Sequence, residues 1–272
     1  MVIPRHTCAN YSFVHFEPNY AQFNARLIHA LTTAPSGIAS RHQRVDVYAL
    51  DPVLTCVTDD DGMWLEFGVW TGRTMRLLAE KRISLVKHRG THEGGAGHER
   101  TVVGFDSFLG LPETWRPTHG HPTLARYLNK GAFSLAGQPP FNESDTVKWQ
   151  IGWFNETLPP FVAAHPPETH HLTLLHIDSD LYSAASTVLT TLDAHLRPGV
   201  WIIFDELVNY PEYREGEMLA LWEALRRRQR AIPGLGVEAV AVATHKISSS
   251  PTESMLQAAA VRLATRPDAT AR

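Results

Sequence analysis

A chain of 272 residues with 43% apolar side chains can bury a full core, and a single domain with appendages is expected. Its 25 basic and 28 acidic residues are interleaved and leave a net charge of about −3, which excludes the basic footprint of a nucleic-acid binder or of a protein held on an anionic membrane. Two cysteines, Cys8 and Cys56, are too few for a disulfide framework or a four-thiolate zinc site.

In chain order, the start MVIPRHTCANYSF lacks a basic leader followed by an apolar run. No later run approaches the ~20 apolar residues that span a bilayer. The expectation is a cytoplasmic protein with two inert thiols and a small-molecule partner, with no nucleic acid or membrane bound and a homodimer left open. Residues 1–60 read as an N-terminal helical cap, with Tyr20, Phe23, Leu27 and Leu31 at helical spacing between Pro18 and Leu31. A second helix is expected over Val45 to Val57, ahead of the turn Asp59-Asp60-Asp61-Gly62. The core domain then runs over 61–264. Met63 to Phe67 is its first strand, Thr71 to Lys81 a helix, and the glycine-rich Lys87 to Arg100 a loop. Val102 to Phe105 makes the second strand. Beyond it the Pro- and Gly-rich stretch 108–145 reads as a substrate lid.

Trp149 to Phe154 reads as a third strand, with Gly152 near its end. Leu172 to Ile177 is a fourth. The helix that follows carries Ala185, Val188, Leu189, Leu192 and Leu196 as one stripe and stops at Arg197-Pro198-Gly199. Val200 to Phe204 is a fifth strand and Glu215 to Arg230 a helix with a basic end. Val237 to Ala243 and Leu256 to Leu263 make a closing antiparallel hairpin, and 265–272 is a tail.

Four of the apolar runs meet an acid at their ends, namely Glu66, Asp106, Asp178 and Asp205. Short buried strands separated by helix-length stretches form a parallel sheet, and such sheets bind ligands outside the carboxyl ends of their strands. The four acids therefore converge on one crevice. Its first turn, EFGVWTGRT, places Trp70 where a dinucleotide fingerprint requires a second glycine, and there is no GxxxxGK[ST] loop. Glu66 repels a phosphate and attracts an ammonium, while Asp106 stands where an acid bonds ribose hydroxyls. S-adenosylmethionine has a ribose, an ammonium and a sulfonium, and no phosphate.

The blocks EFGVWTGRT, GFDSFLGLPETW, GWFNETLP, HIDSDLYSA and FDELVNYP, from Glu66 to Pro211, resemble class I S-adenosylmethionine-dependent methyltransferases, and within them the macrocin O-methyltransferase-like family. The resemblance implies an α/β Rossmann-like fold whose seven-stranded, mostly parallel sheet ends in an antiparallel hairpin. It implies that Glu66, Gly68 and Gly72 surround the methionine part of the cofactor, that Asp106 with Ser107 takes the ribose, and that Gly152, Trp153 and Phe154 lie near the adenine. It further implies O-methylation of a sugar or polyhydroxylated natural product. Related sugar enzymes hold Mg²⁺ with one Asp and then an Asp-Asp or Asp-Asn pair. The equivalent positions here are Asp178, Asp205 and Glu206, so this chain departs from the pattern at Glu206. Asp178 is the expected proton acceptor and a cofactor neighbour. Without a metal, Asp178 bonds cofactor or substrate, and Glu206 caps the next segment or pairs with a base.

His119 and His121 fall in the lid, His170 and His171 in a solvated loop, and His176 reads as a core histidine. Asp180 or Ser183 is expected to cap the helix after Asp178, the alternative being that Asp180 faces the substrate; Tyr182 is left open, and Arg226 to Arg228 read as a solvated helix end. Two other readings remain, a nicotinamide-dependent oxidoreductase and a non-catalytic S-adenosylmethionine-binding protein of the same fold.

Overall fold

The computed structural model describes residues 8, 10–34, 49–58, 62–89, 101–115, 129–243 and 257–266. Five parallel strands form the centre: β2 (Met63–Phe67), β3 (Val102–Asp106), β4 (Val147–Ile151), β5 (Leu172–Ile177) and β6 (Trp201–Phe204). The antiparallel pair β7 (Leu235–Val242) and β8 (Ala259–Thr265) extends this sheet through β8 on β6. A three-residue strand β1 (Ser12–Val14) closes the far edge, giving the order β1-β7-β8-β6-β5-β2-β3-β4.

The sheet therefore has eight strands where seven are expected. The extra one is β1, whose Val14 pairs with Val237. Three residues are too few to show an alternating pattern, so no sequence signal marks them. Gly236 makes the pairing feasible, because a Cβ there would come within 2.3 Å of the Val14 carbonyl oxygen.

Helices cover both faces, as a parallel sheet requires. On one face lie α1 (Tyr20–Thr33), α4 (Phe154–Ala164), α5 (Tyr182–Thr191) and α6 (Glu217–Arg228), burying Leu27, Phe161, Leu189 and Leu221 against Leu65, Phe105, Ile177 and Phe204. On the other, α2 (Leu50–Cys56) and α3 (Arg73–Arg89) place Val53 and Leu78 with Trp64, Leu174 and Ile203. Alternate strand residues thus feed opposite cores. Among the described residues, no helix is long and apolar enough to cross a membrane.

Several boundaries shift for physical reasons. α1 starts after Asn19, whose side chain accepts from the Gln22 N–H at 3.1 Å. The third strand ends at Ile151, because Gly152 turns with φ 146° and Phe154 already opens α4. α4 tolerates Pro159 and Pro160 because Leu158 and Phe161 are buried against the sheet. The expected cap of α5 is absent: its N-cap is Leu181, Asp180 has φ 60°, and the Ser183 hydroxyl donates to Glu113 Oε1 instead. Tyr182 donates to Glu223 Oε2 at 2.8 Å. The basic end of α6 is not merely solvated, since Arg227 and Arg228 both reach Asp193 and Arg226 lies over the Trp222 ring.

The cysteines are not free thiols. Cys8 and Cys56 form a disulfide across 48 residues, with their Cα atoms 5.3 Å apart, and it ties the segment before β1 to the end of α2. The spacing alone carries no information on this pairing. The loop expected over Lys87 to Arg100 starts too early, because α3 runs on to Arg89; residues 90–100, the turn 59–61, His119 and His121, the hairpin turn and the end of the tail lie outside the described residues.

Candidate active site

The backbone ladder continues one residue past the central strands and sets the crevice. Gly68 N–H donates to Phe105 O at 3.0 Å, Gly152 N–H to Asp106 O at 3.0 Å, Asp178 N–H to Phe67 O at 2.8 Å, and Asp205 N–H to Ile177 O at 3.0 Å. Each chain thus leaves the sheet in register with its neighbour, which brings the strand-end residues to one edge. A cavity of about 710 Å³ opens there. Its wall includes Gly68, Asp106, Ser107, Trp153 and Phe154 on one side and Asp178, Asp205 and Glu206 on the other.

On the first side the turn after β2 is held tightly. Gly68 has φ 85°, and a Cβ on it would sit 1.6 Å from the Asp178 carbonyl oxygen. Only glycine fits such a crossing. Gly72, with φ 69°, lies against the Phe141 ring rather than on the cavity wall. Asp106 is the organiser of this turn: its Oδ2 accepts from the Val69 and Trp70 N–H groups at 2.8 and 2.9 Å, and its Oδ1 accepts from Phe108 N–H at 2.7 Å. Ser107 Oγ accepts from Leu109 N–H at 3.1 Å.

Glu66 stands apart from the other expected cofactor residues. It is 1% exposed, lies on the α3 face of the sheet and receives His176 Nδ1 at 3.3 Å, its partner in the strand register. Its Oε2 has no hydrogen-bond partner among the described residues. Burial pushes its pKa up and His176 opposes that shift. His176 is thus a core histidine with a bonded ring. Glu66, Gly72 and Gly152 are not among the described residues lining the cavity; they shape the backbone behind it.

On the second side, Asp178, Asp205 and Glu206 bring ligand oxygens within 4.8 Å of one another. Adjacent parallel strands β5 and β6 cause this, because their acids leave neighbouring strand ends. Asp178 is partly open to the cavity, yet protein surrounds it closely. Burial first, and then the facing Asp205 carboxylate, push Asp178 and Glu206 well above the ordinary carboxylate range. Glu217, fully buried at the start of α6, is shifted the same way by burial. Three hard carboxylates this close are costly without a cation, and Glu206 Oε2 is buried with no hydrogen-bond partner among the described residues. The donor set fits Mg²⁺ or a similar ion.

These shifts have a measurable consequence. A carboxyl whose folded pKa is raised holds its proton better folded than unfolded, so stability is greatest below the unfolded value of about 4 and is lost as pH rises through the folded value. The metal-free protein is expected to melt at lower temperature as pH goes from about 5 to about 8, and excess Mg²⁺ to flatten that decline. Differential scanning calorimetry with chelator and with Mg²⁺ checks this; a flat profile in chelator would contradict it.

Some residues of the site are only weakly marked in the sequence. Trp115 and Phe133 line the cavity from the two described ends of the 108–145 segment, which are joined where Leu111 N–H donates to Ala132 O and Gly131 N–H to Leu111 O. Asp180 lines the cavity too, and its spacing of two from Asp178 is the signal that could have assigned it there. Glu217 reads in sequence only as a helix start.

Strand order, the hairpin edge and a carboxyl-end crevice define a class I methyltransferase fold. The macrocin-O-methyltransferase (TylF) family model matches residues 43–230, and the chain belongs to that family. It is 26% identical over 190 residues to a demethyldecarbamoylnovobiocin O-methyltransferase from Streptomyces niveus, covering 65% of this chain and 66% of that one. It is 29% identical over 157 residues to a mycinamicin III 3''-O-methyltransferase from Micromonospora griseorubida, covering 52% and 54%. The matched region thus spans just under two thirds and about half of these relatives. Among solved structures, a calicheamicin methyltransferase, CalS11, aligns over 92% of this chain and 95% of its own, with 25% identity and a TM-score of 0.51. Family membership decides against the nicotinamide reading.

Proposed function

We propose that this chain is an S-adenosylmethionine-dependent O-methyltransferase that methylates a hydroxyl of a sugar or polyhydroxylated natural product with help from Mg²⁺. The observation that carries the reading is the division of one cavity into a turn without a phosphate nest, organised by Asp106, and a carboxylate trio with its oxygens within 4.8 Å. The relatives' O-methyltransferase names support the same reaction.

S-adenosylmethionine, when bound, supplies a methyl group on an electrophilic sulfonium. The Gly68 to Trp70 turn lets the backbone approach the amino-acid end closely. Asp106 holds this turn and keeps lone pairs toward the ribose, while Trp153 and Phe154 offer aromatic surface to the adenine. Asp178, Asp205 and Glu206 would hold the divalent ion, which supplies a Lewis acid that lowers the pKa of a bound hydroxyl. Asp178 would accept the proton of the acceptor hydroxyl, directly or through water. Trp115 and Phe133 of the 108–145 lid line the cavity and are offered as acceptor contacts.

Two measurements test the reading. S-adenosylmethionine and S-adenosylhomocysteine are expected to raise the melting temperature, by about 2.7 kcal/mol of linkage at a hundredfold excess over Kd, and NAD is not. Methyl transfer to a panel of sugars and glycosides is expected to fall at least tenfold with chelator and to return with Mg²⁺. Stabilisation without transfer to any hydroxyl would favour the non-catalytic binding protein instead, and full activity in chelator would remove the metal.

A further inference from the structure

β6 ends at Phe204, and Asp205 N–H is the last donor of its ladder, to Ile177 O. The next amide, that of Glu206, would be an orphan donor in a residue only 6% exposed. It donates instead to Oε2 of Glu217 at 3.1 Å. Glu217 is completely buried in the first turn of α6, and its other oxygen, Oε1, has no hydrogen-bond partner among the described residues. Gly216 before it sits where a Cβ would meet the Tyr210 hydroxyl at 2.1 Å, so the helix start is pressed against the segment after Glu206.

An apolar side chain would be the cheap occupant of such a position, because burying a carboxylate beside other carboxylates is unfavourable. A glutamate is retained there, aimed at the backbone of one member of the trio. Glu206 also has one more rotatable bond than aspartate at the corresponding end of a strand. The direction of its backbone therefore decides where its carboxylate arrives.

We infer that Glu217 is a positioning residue for the acid pair: it fixes the peptide of Glu206, which lets a glutamate reach a divalent cation held with Asp178 and Asp205. This inference rests on the metal reading above. Glu217 does not itself line the cavity. It acts through the amide hydrogen bond, as outer partners of metal ligands do, and loss of such partners costs about 10- to 100-fold in metal affinity.

The test is Mn²⁺ titration of the full chain, followed by calorimetry and by loss of the free-ion spin-resonance signal, with S-adenosylhomocysteine binding measured in parallel. Glu217→Gln keeps an acceptor for the Glu206 amide and is expected to hold Mn²⁺ within about 3-fold of the native chain. Glu217→Leu removes the acceptor and is expected to weaken Mn²⁺ about 10- to 100-fold, with S-adenosylhomocysteine binding unchanged. If the leucine variant does not fold, Glu217→Asp, which withdraws the acceptor by one methylene, is expected to weaken Mn²⁺ about tenfold. Native-like affinity in the leucine or aspartate variant overturns the inference while leaving the metal reading intact. Equal weakening in the glutamine variant also overturns it, since charge rather than the hydrogen bond would then matter. Failure of the native chain to bind Mn²⁺ overturns both.

Discussion

Asp178→Asn is expected to lower kcat/KM for methyl transfer by about 10³-fold, within the range for losing a positioned general base, while the protein stays folded. The substitution keeps the shape of a side chain whose backbone N–H is bonded to Phe67 O at 2.8 Å, so the β2–β5 crossing is preserved. It removes one of three carboxylates whose oxygens lie within 4.8 Å. Asp205 and Glu206 then face less repulsion, so the melting temperature in chelator is expected to hold or rise. The signature is therefore a split: activity falls by orders of magnitude and stability does not. Steady-state kinetics and calorimetry on one preparation check both arms. A loss smaller than tenfold would leave Asp178 neither base nor ligand.

Gly68→Ala is expected to show no such split: stability and activity fall together. A methyl at this position would lie 1.6 Å from the Asp178 carbonyl oxygen and 2.7 Å from its carbonyl carbon, both backbone atoms that no rotamer change can clear. The residue also has φ 85°, which costs a non-glycine residue about 1–2 kcal/mol. Overpacking adds about 1–3 kcal/mol. Together these predict a loss of about 2–5 kcal/mol, or a melting temperature lower by roughly 10 °C. The strand end that carries Asp178 must move, so affinity for S-adenosylhomocysteine and the rate of methyl transfer are expected to fall together. Unchanged stability would mean that the crossing is looser than its distances imply.

Much of the fold was legible because local pattern encodes it. The buried runs ending in Glu66, Asp106, Asp178 and Asp205 imply parallel strands, and all four lie at the ends of β2, β3, β5 and β6. The stripe from Ala185 to Leu196 packs as expected. The closing hairpin is antiparallel. What pattern could not carry was β1, too short for a period, and α4, whose adjacent prolines argue against a helix that burial of Leu158 and Phe161 sustains.

The site divides in the same way. Asp178, Asp205 and Glu206 are near in space because the strands that deliver them are adjacent, and the sequence blocks carried that expectation through a resemblance. Glu66 is different: it shares a strand with the crevice residues, but its parity turns it to the α3 face, toward His176. Asp106 reaches the cavity and in addition ties down three backbone amides, a role invisible in its spacing.

By itself, the sequence determined the alternation of buried strands with helices, which ends of the strands carry acids, and the absence of a phosphate fingerprint in the first turn, because each is written in the type and period of neighbouring residues. Only the tertiary structure decided that Cys8 meets Cys56, that Gly68 must pass the Asp178 carbonyl, and that Glu217 stands behind Glu206. Those contacts join segments separated by 48, 110 and 11 residues. They arise from how close the layers pack, which no local period specifies.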